Sequence, residues 1–274
     1  MDPREIIAAV QVNIPFRMLE EGLLQTFLHQ GLNPEIGLDG ETLDNLDTGA
    51  FRRAVEAFRD AGRTITLHSP FLDLSPGSLD PAVRRVTRTR LEQTLRLVPA
   101  ANPLTVVCHT GWDHRRYLEI KSRWLEESWK MWEWFAGALR DAGTRLMLEN
   151  VYERSPREFL EIYGPIRESG AGFCLDTGHQ SAFGEADLEE WVSVLGREVG
   201  QLHLHDNHGQ RDEHLAPGQG DVDFRMLFRE LGELAPVRPV VTLEPHKEED
   251  LWKALEFLAR TNPWQSPSGT GGRP

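Results

Sequence analysis

The sequence predicts an α/β fold, a single (β/α)8 (TIM) barrel, on three observations. Eight short apolar runs alternate with amphipathic segments along the chain. The runs are near-continuously apolar, as suits parallel strands covered on both faces rather than half-exposed antiparallel ones. Eight β/α units close a parallel sheet on itself, and the 274 residues present match the roughly 250 typical of such barrels. The alternative is a doubly wound open sheet. No GxGxxG follows the first run, which counts against its dinucleotide-binding form.

In chain order the β-like runs are residues 6–14, 34–38, 64–71, 104–111, 145–150, 171–177, 201–206 and 239–245. Between them, residues 51–60 put Phe51, Val55 and Phe58 on one helical face. Asp80-Pro81 and Ser155-Pro156 each read as a helix N-cap followed by proline at the first helical position. Gly62, Gly143 and Gly170 follow helical stretches as stop signals. The barrel is expected over residues 1–261, with no internal repeat beyond the β/α unit. Residues 262–274 form a polar Pro/Gly/Ser tail expected to be disordered.

Composition narrows the function. A net charge of −13 argues against tight non-specific binding to phosphate backbones, although a local basic groove stays open. No apolar run approaches the roughly 20 residues needed to cross a bilayer, so no membrane partner is expected. The N-terminus carries no signal-like apolar stretch, and the expected location is the cytoplasm. Cys108 and Cys174 lie in apolar runs and read as buried free thiols. Nothing in the sequence sets the oligomeric state.

The chemistry lies at the strand ends. The third run carries His68, the fourth His109, the fifth Glu149 and the sixth Asp176 with His179 three residues on. The seventh carries His203, His205 and Asp206, and the eighth Glu244. In a barrel these ends converge on one face, where barrel enzymes keep their active sites. A single histidine at a strand end is more often a hydrogen-bonded structural residue, and a lone Glu before Pro can cap a loop. Six consecutive strands delivering a carboxylate or imidazole to one mouth are harder to explain that way. Crowded buried charges repel one another and are costly to desolvate, and a cation removes that cost. Mixed carboxylate and imidazole donors suit Zn, Mn, Fe or Co better than an all-oxygen Ca site, with Zn or Mn foremost and one to three ions per chain.

Other features carry less. Trp124, Trp129, Trp132 and Trp134 crowd one helical segment and read mostly as helix packing, whereas Trp112, just after His109, is placed to wall the pocket. Gly218 and Gly220 fall after the seventh run, where barrels often bind phosphate; a plain turn fits equally. Arg211 and Arg154 are candidates to meet an anionic substrate, against the usual reading of a solvated arginine. No lysine sits at a strand end, which argues against Schiff-base chemistry.

The ordered motifs Leu175-Asp176-Thr177-Gly178-His179, His203-Leu204-His205-Asp206-Asn207 and Asp212-Glu213-His214, leading into Gly218-Gln219-Gly220, resemble a known superfamily. This is the xylose isomerase-like TIM barrels, which include sugar (phosphate) isomerases and epimerases and the endonuclease IV-type AP endonucleases (AP endonuclease family 2). The resemblance extends to about residue 260. It implies that Glu149, Asp176, His203 and Glu244 match the four-ligand metal site of the isomerases and epimerases, with the two glutamates acting as acid and base. It further implies that His68, His109, His179, Asp212 and His214 match the additional ligands of the endonucleases' three-zinc cluster. His205 has the same pleat parity as His203 and is placed with Trp112 and Arg211 as a substrate contact, without a ligand role. Pro34-Glu35-Ile36-Gly37-Leu38 resembles the sugar-enzyme branch, and no basic, aromatic-rich insertion resembles the endonucleases' DNA loops.

Two reactions follow as expectations. The preferred one is metal-dependent isomerisation or epimerisation of a sugar or sugar phosphate through an enediolate, with Glu149 and Glu244 moving the proton. The alternative is phosphoester hydrolysis at a multi-metal cluster, with abasic DNA as the extreme case. A sugar-binding protein without catalysis ranks below both.

Overall fold

The computed structural model describes residues 3–261 and Pro263. Eight strands make a closed parallel barrel in sequence order. They are β1 (Gln11–Pro15), β2 (Asn33–Gly37), β3 (Thr66–His68), β4 (Thr105–His109), β5 (Arg145–Glu149), β6 (Gly172–Asp176), β7 (Val199–Leu204) and β8 (Val240–Leu243). Closure comes from β1 pairing with β8, Gln11 opposite Thr242 and Val12 opposite Leu243. Helices follow the strands and pack outside, including Pro81–Ala101, Lys121–Asp141 and Glu248–Thr261. The caps fall where Asp-Pro and Ser-Pro place them. Ala82 N–H donates to Asp80 Oδ1 at 2.7 Å, and Glu158 N–H donates to Ser155 Oγ at 3.3 Å.

One expectation is corrected. The apolar run at residues 6–14 predicts one strand, but Pro3–Ala9 is a helix and the strand begins at Gln11. Proline suits the first turn of a helix, Glu5 complements its dipole, and Ile6 is buried on the inner face. The helix lies against Glu248–Thr261, so tertiary packing outweighs the β preference of Ile6 and Ile7. The segment 262–274, expected to be disordered, lies outside the described residues apart from Pro263.

Pleat alternation sorts each strand into an outer face that meets the helices and an inner face that fills the barrel. Val107, Met147 and Cys174 make a small apolar layer inside. Beside it, Glu35 accepts from Thr66 Oγ1 at 2.8 Å, Gln201 Nε2 at 2.6 Å and Thr242 Oγ1 at 3.1 Å, while Thr105 Oγ1 donates to Gln201 Oε1 at 2.6 Å. This fully buried polar layer is the floor on which the site stands. The tryptophans of Lys121–Asp141 serve packing. Trp124 and Trp132 are buried, and Trp134 carries the Arg88 guanidinium 3.2 Å from its ring centroid. Cys108 and Cys174 are buried and free. Among the described residues no helix is long and apolar enough to cross a membrane.

Candidate metal centre

His203, two residues beyond Gln201 on β7, is the centre of the inner cluster. Its Nδ1 lies 3.0 Å from Glu244 Oε1, 3.4 Å from Glu149 Oε2 and 3.9 Å from Asp176 Oδ2. Despite these distances the fully buried Nδ1 makes no well-formed hydrogen bond. A buried nitrogen facing three carboxylates without bonding any of them is what a ligand atom looks like when its cation is left out of account. The opposite nitrogen, Nε2, lies 3.0 Å from Glu35 Oε1. That carboxylate–imidazole pair fixes the ring so that Nδ1 faces upward, the arrangement that orients ligand histidines.

Asp176 ends β6 and also caps the helix Thr177–Phe183. His179 N–H donates to its Oδ1 at 2.6 Å, leaving Oδ2 toward the cluster. Asn150 locks the strand end from both sides, accepting from Asp176 N–H at 2.9 Å and donating to Asp176 O at 3.0 Å. The cap turns His179 inward, and its Nδ1 stands 3.1 Å from Glu149 Oε1.

Two further foci adjoin the inner set. His68 Nε2 lies 3.1 Å from Glu149 Oε2, and His109 Nε2 lies 3.4 Å from Glu149 Oε1. On the other side, Asp212 Oδ2 stands 3.4 Å from His179 Nε2 and 3.1 Å from His214 Nε2. Asp212 and His214 sit on the loop after β7, where Asp206 ↔ Leu215 forms an isolated antiparallel bridge. His214 takes a left-handed φ of 51°, an uncommon conformation that aims its ring back at the cluster. The nine expected ligand residues therefore converge in three adjoining sets, with Glu149 in two of them and 3.1 Å from His179 of the third.

The electrostatics fit cation ligation. Burial works against charge on Glu149, but the surrounding His109, His203 and His179 outweigh it and hold the carboxyl well below its ordinary range. Burial pushes His109 down to about 3, so at neutral pH the imidazoles acting on Glu149 are His203, His179 and His68, each itself raised, against burial, by neighbouring carboxylates. Burial also opposes His179 and His203, yet nearby carboxylates raise both well above normal, and His214 is raised to about 9 chiefly by Asp212. Glu244 and Asp212 are depressed despite burial, by His203 and by His179 with His214 respectively. Protons thus balance the buried carboxylates where a divalent ion would do so more fully. Nitrogen and oxygen donors in these proportions fit Zn or Mn.

The residues around these sets differ in their access to the cleft. His205 is 1% exposed and does not line the cleft. Arg211 points to solvent, its side chain 82% exposed and 3.8 Å from Glu213, and it too lies away from the cleft. The amides of Gly218 and Gly220 are not free for phosphate. Both donate to Asp206 Oδ2, at 2.9 and 2.8 Å, so the loop is a turn pinned by a buried carboxylate. Trp112 does border the cleft, although nearly all of its ring is buried against Trp124 and Tyr117. Two residues not expected from the sequence border it as well. Phe71 is 45% exposed and stacks on His109 at 4.2 Å, and His246 stacks on His214 at 3.9 Å.

Residues 34–261 match the family model described as xylose isomerase-like TIM barrel. The chain belongs to this family. Solved structures share its shape. A D-tagatose 3-epimerase-like protein superposes with a TM-score of 0.81 at 23% identity, covering 93% of this chain and 97% of that one. The TTHB071 protein from Thermus thermophilus, solved after soaking with ZnCl2, gives 0.78 at 26% identity over 97% and 100%. A probable endonuclease 4 of Mycobacterium leprae is 24% identical over 188 residues, 64% of this chain and 71% of the relative. This barrel is thus similar both to epimerase-like and to endonuclease-like proteins.

Proposed function

We propose that this xylose isomerase-like barrel is a divalent-metal-dependent isomerase or epimerase of a sugar or sugar phosphate. The observation that carries this is the pair Glu149 and Glu244. They reach the same nitrogen of His203 from β5 and β8, and both are held ionised, the form a proton acceptor needs. A cleft of about 820 Å³ opens above them, within the usual span for small-molecule sites. Phe71, Tyr117, Tyr152 and Phe183 border it and offer ring faces to the apolar side of a sugar. When bound, a divalent cation supplies Lewis-acid polarisation of adjacent carbonyl and hydroxyl oxygens. Glu149 and Glu244 would then take a proton from the carbon beside the carbonyl and return one, while His203, fixed by Glu35, keeps the donors in register.

Of the three arginines that border the cleft, Arg90, Arg115 and Arg116, two are paired with acids, which leaves little positive charge for a polynucleotide. Arg90 forms a bidentate pair with Asp44, its Nη2 2.8 Å from Oδ2, and Arg115 Nε stands 3.0 Å from Asp113 Oδ1. The second reading, multi-metal phosphoester hydrolysis, is favoured by one observation: nine ligand side chains exceed what a single ion takes, about four to six.

The test is proton exchange. Metal-loaded protein is incubated in deuterated water with a panel of ketoses, aldoses and their phosphates. Deuterium should appear at the carbon beside the carbonyl by NMR, and chelation should stop it. Glu244→Gln should keep the fold and lower turnover by about 10²–10⁴-fold, the usual contribution of a positioned acid or base. Absence of exchange across the panel, together with chelator-sensitive incision of an abasic-site duplex, would replace this reading with the hydrolase.

A further inference from the structure

His205 is the buried imidazole at the metal centre that neither family ligand set uses. Its ring lies between the inner set (Glu149, Asp176, His203, Glu244) and the outer set (His179, Asp212, His214). Nε2 lies 3.0 Å from Asp176 Oδ2, at hydrogen-bonding geometry. Nδ1 is aimed at Asp212 Oδ1, 3.4 Å away. Both Nδ1 and Oδ1 are buried and neither has a hydrogen-bond partner among the described residues, their own contact falling short of hydrogen-bond geometry, so each has only the other to face. One ring thus spans a carboxylate from each set.

Ligand atoms of His205, Asp212 and His214 lie within 4.8 Å of one another, but the stacking argues against one ion taking both imidazoles. Its ring lies parallel to that of His214, 3° apart in plane with centroids 4.0 Å apart. The lone pairs of two stacked imidazoles lie in parallel planes, so one ion cannot sit in both. His214, whose Nε2 shares Asp212 Oδ2 with His179, fills the place in the outer set. His205 is left behind it, facing the other oxygen of the same carboxylate at 3.4 Å. The chain also gives up a side chain to make this possible. A Cβ at position 178 would lie 1.9 Å from His205 Cε1 and 2.1 Å from Nδ1, so the glycine of Asp176-Thr177-Gly178-His179 is required by the ring behind it.

We infer that His205 is a positioning residue that ties the inner ligand Asp176 to the outer ligand Asp212, so that occupancy of the two ion sites is coupled through one imidazole. Asp176 has other anchors, in the His179 amide and the Asn150 pair. Asp212, on a loop and only partly buried, has its Oδ2 shared by His214 and His179, which leaves His205 as the sole group among the described residues facing its Oδ1. Loss of the link therefore loosens the outer site more than the inner one. This inference does not rest on which reaction the centre performs.

The test is metal affinity, with no turnover involved. Zn²⁺ is titrated against a chromophoric chelator into wild type, His205→Phe and His205→Gln. Phenylalanine keeps the ring and its stacking on His214 but removes both nitrogens. The expected result for H205F is an outer-ion affinity lower by about 10- to 100-fold, the usual effect of removing a ligand's orienting partner. The inner ion should weaken less, and melting of the metal-free protein should be little changed. H205Q, which keeps one donor and one acceptor, should recover part of the loss. Affinities of H205F within twofold of wild type for both ions would overturn the inference, as would selective loss of the inner ion. Should H205F not fold, H205Q decides alone: an unchanged outer-ion affinity overturns the link, and a partial loss supports it.

Discussion

Glu153 sits four residues past Glu149, buried, with Thr110 Oγ1 donating to one carboxylate oxygen and Val151 N–H donating to the other at 2.8 Å. Burial dominates those two bonds and raises its pKa to about 7. A carboxyl whose folded pKa lies above its unfolded value binds its proton more tightly in the native state. Its contribution to stability is therefore full below about 4.5, and is lost as pH rises toward 7. The loss amounts to roughly 3 kcal/mol at about 1.4 kcal/mol per unit. Glu153→Gln, which mimics the protonated form, should remove this slope, so its advantage over wild type in denaturant melts should grow between pH 5 and pH 7. An identical slope in both proteins would show that Glu153 is not the group responsible. At this scale the sequence is legible where a polar residue ends an apolar run. It is not legible at Glu35, in mid-strand, whose partners Thr66, Gln201 and Thr242 lie 31, 166 and 207 residues away. The available signal was a carboxylate at inward parity within a buried strand, which must be paired to be tolerated.

The loop after β7 behaves as an element in its own right. Asp206 accepts four backbone N–H groups: Asn207 at 3.0 Å, Gly218 at 2.9 Å, Gly220 at 2.8 Å and Val222 at 3.1 Å. Between the first and the second of these lie Asp212 and His214, so the carboxylate clamps the base of the segment that presents the outer ligands. Asp206→Ala removes the acceptor of those amides, of which the buried Asn207 N–H alone costs about 1–3 kcal/mol and the part-buried others less. The expected result is a barrel that still forms, with amide hydrogen exchange accelerated across residues 207–222 and outer-ion affinity lowered. Unchanged exchange there would remove the clamp. Sequence reading places Gly218 and Gly220 in a loop but leaves phosphate cradle and plain turn equal, because only the position of the acceptor, Asp206, distinguishes them. It misplaces the first element for a related reason. Ile6 and Ile7 have strand propensity, and only contact with the helix Glu248–Thr261 shows them to be helical.

At the scale of the whole molecule, the closed barrel was legible because strand spacing and apolar periodicity repeat eight times, which makes an error in one element harmless. The location of the site was legible for the same reason: parallel strands end on one face. The grouping of the nine ligands into three sets was not, since it depends on ring orientations that caps and loops decide. Those sets predict more than one ion per chain when metal is plentiful. His179→Ala combined with His214→Ala should remove the outer ion and spare the inner one, by elemental analysis after loading. A single ion in wild type, retained by the double variant, would contradict the grouping. The buried floor around Glu35 adds a sense of direction. With Asp176 and His203 fully buried and His214 and Asp212 only partly so, the shaft is stoppered below and open above. Glu149 and Glu244 border that open side themselves, as His179, Asp212 and His214 do, so each cation has its own way out and neither must wait for the other. Stopped-flow chelation should show two independent phases, the inner one keeping its rate in the double variant; an inner phase accelerated there would mean that the outer ion bars the way.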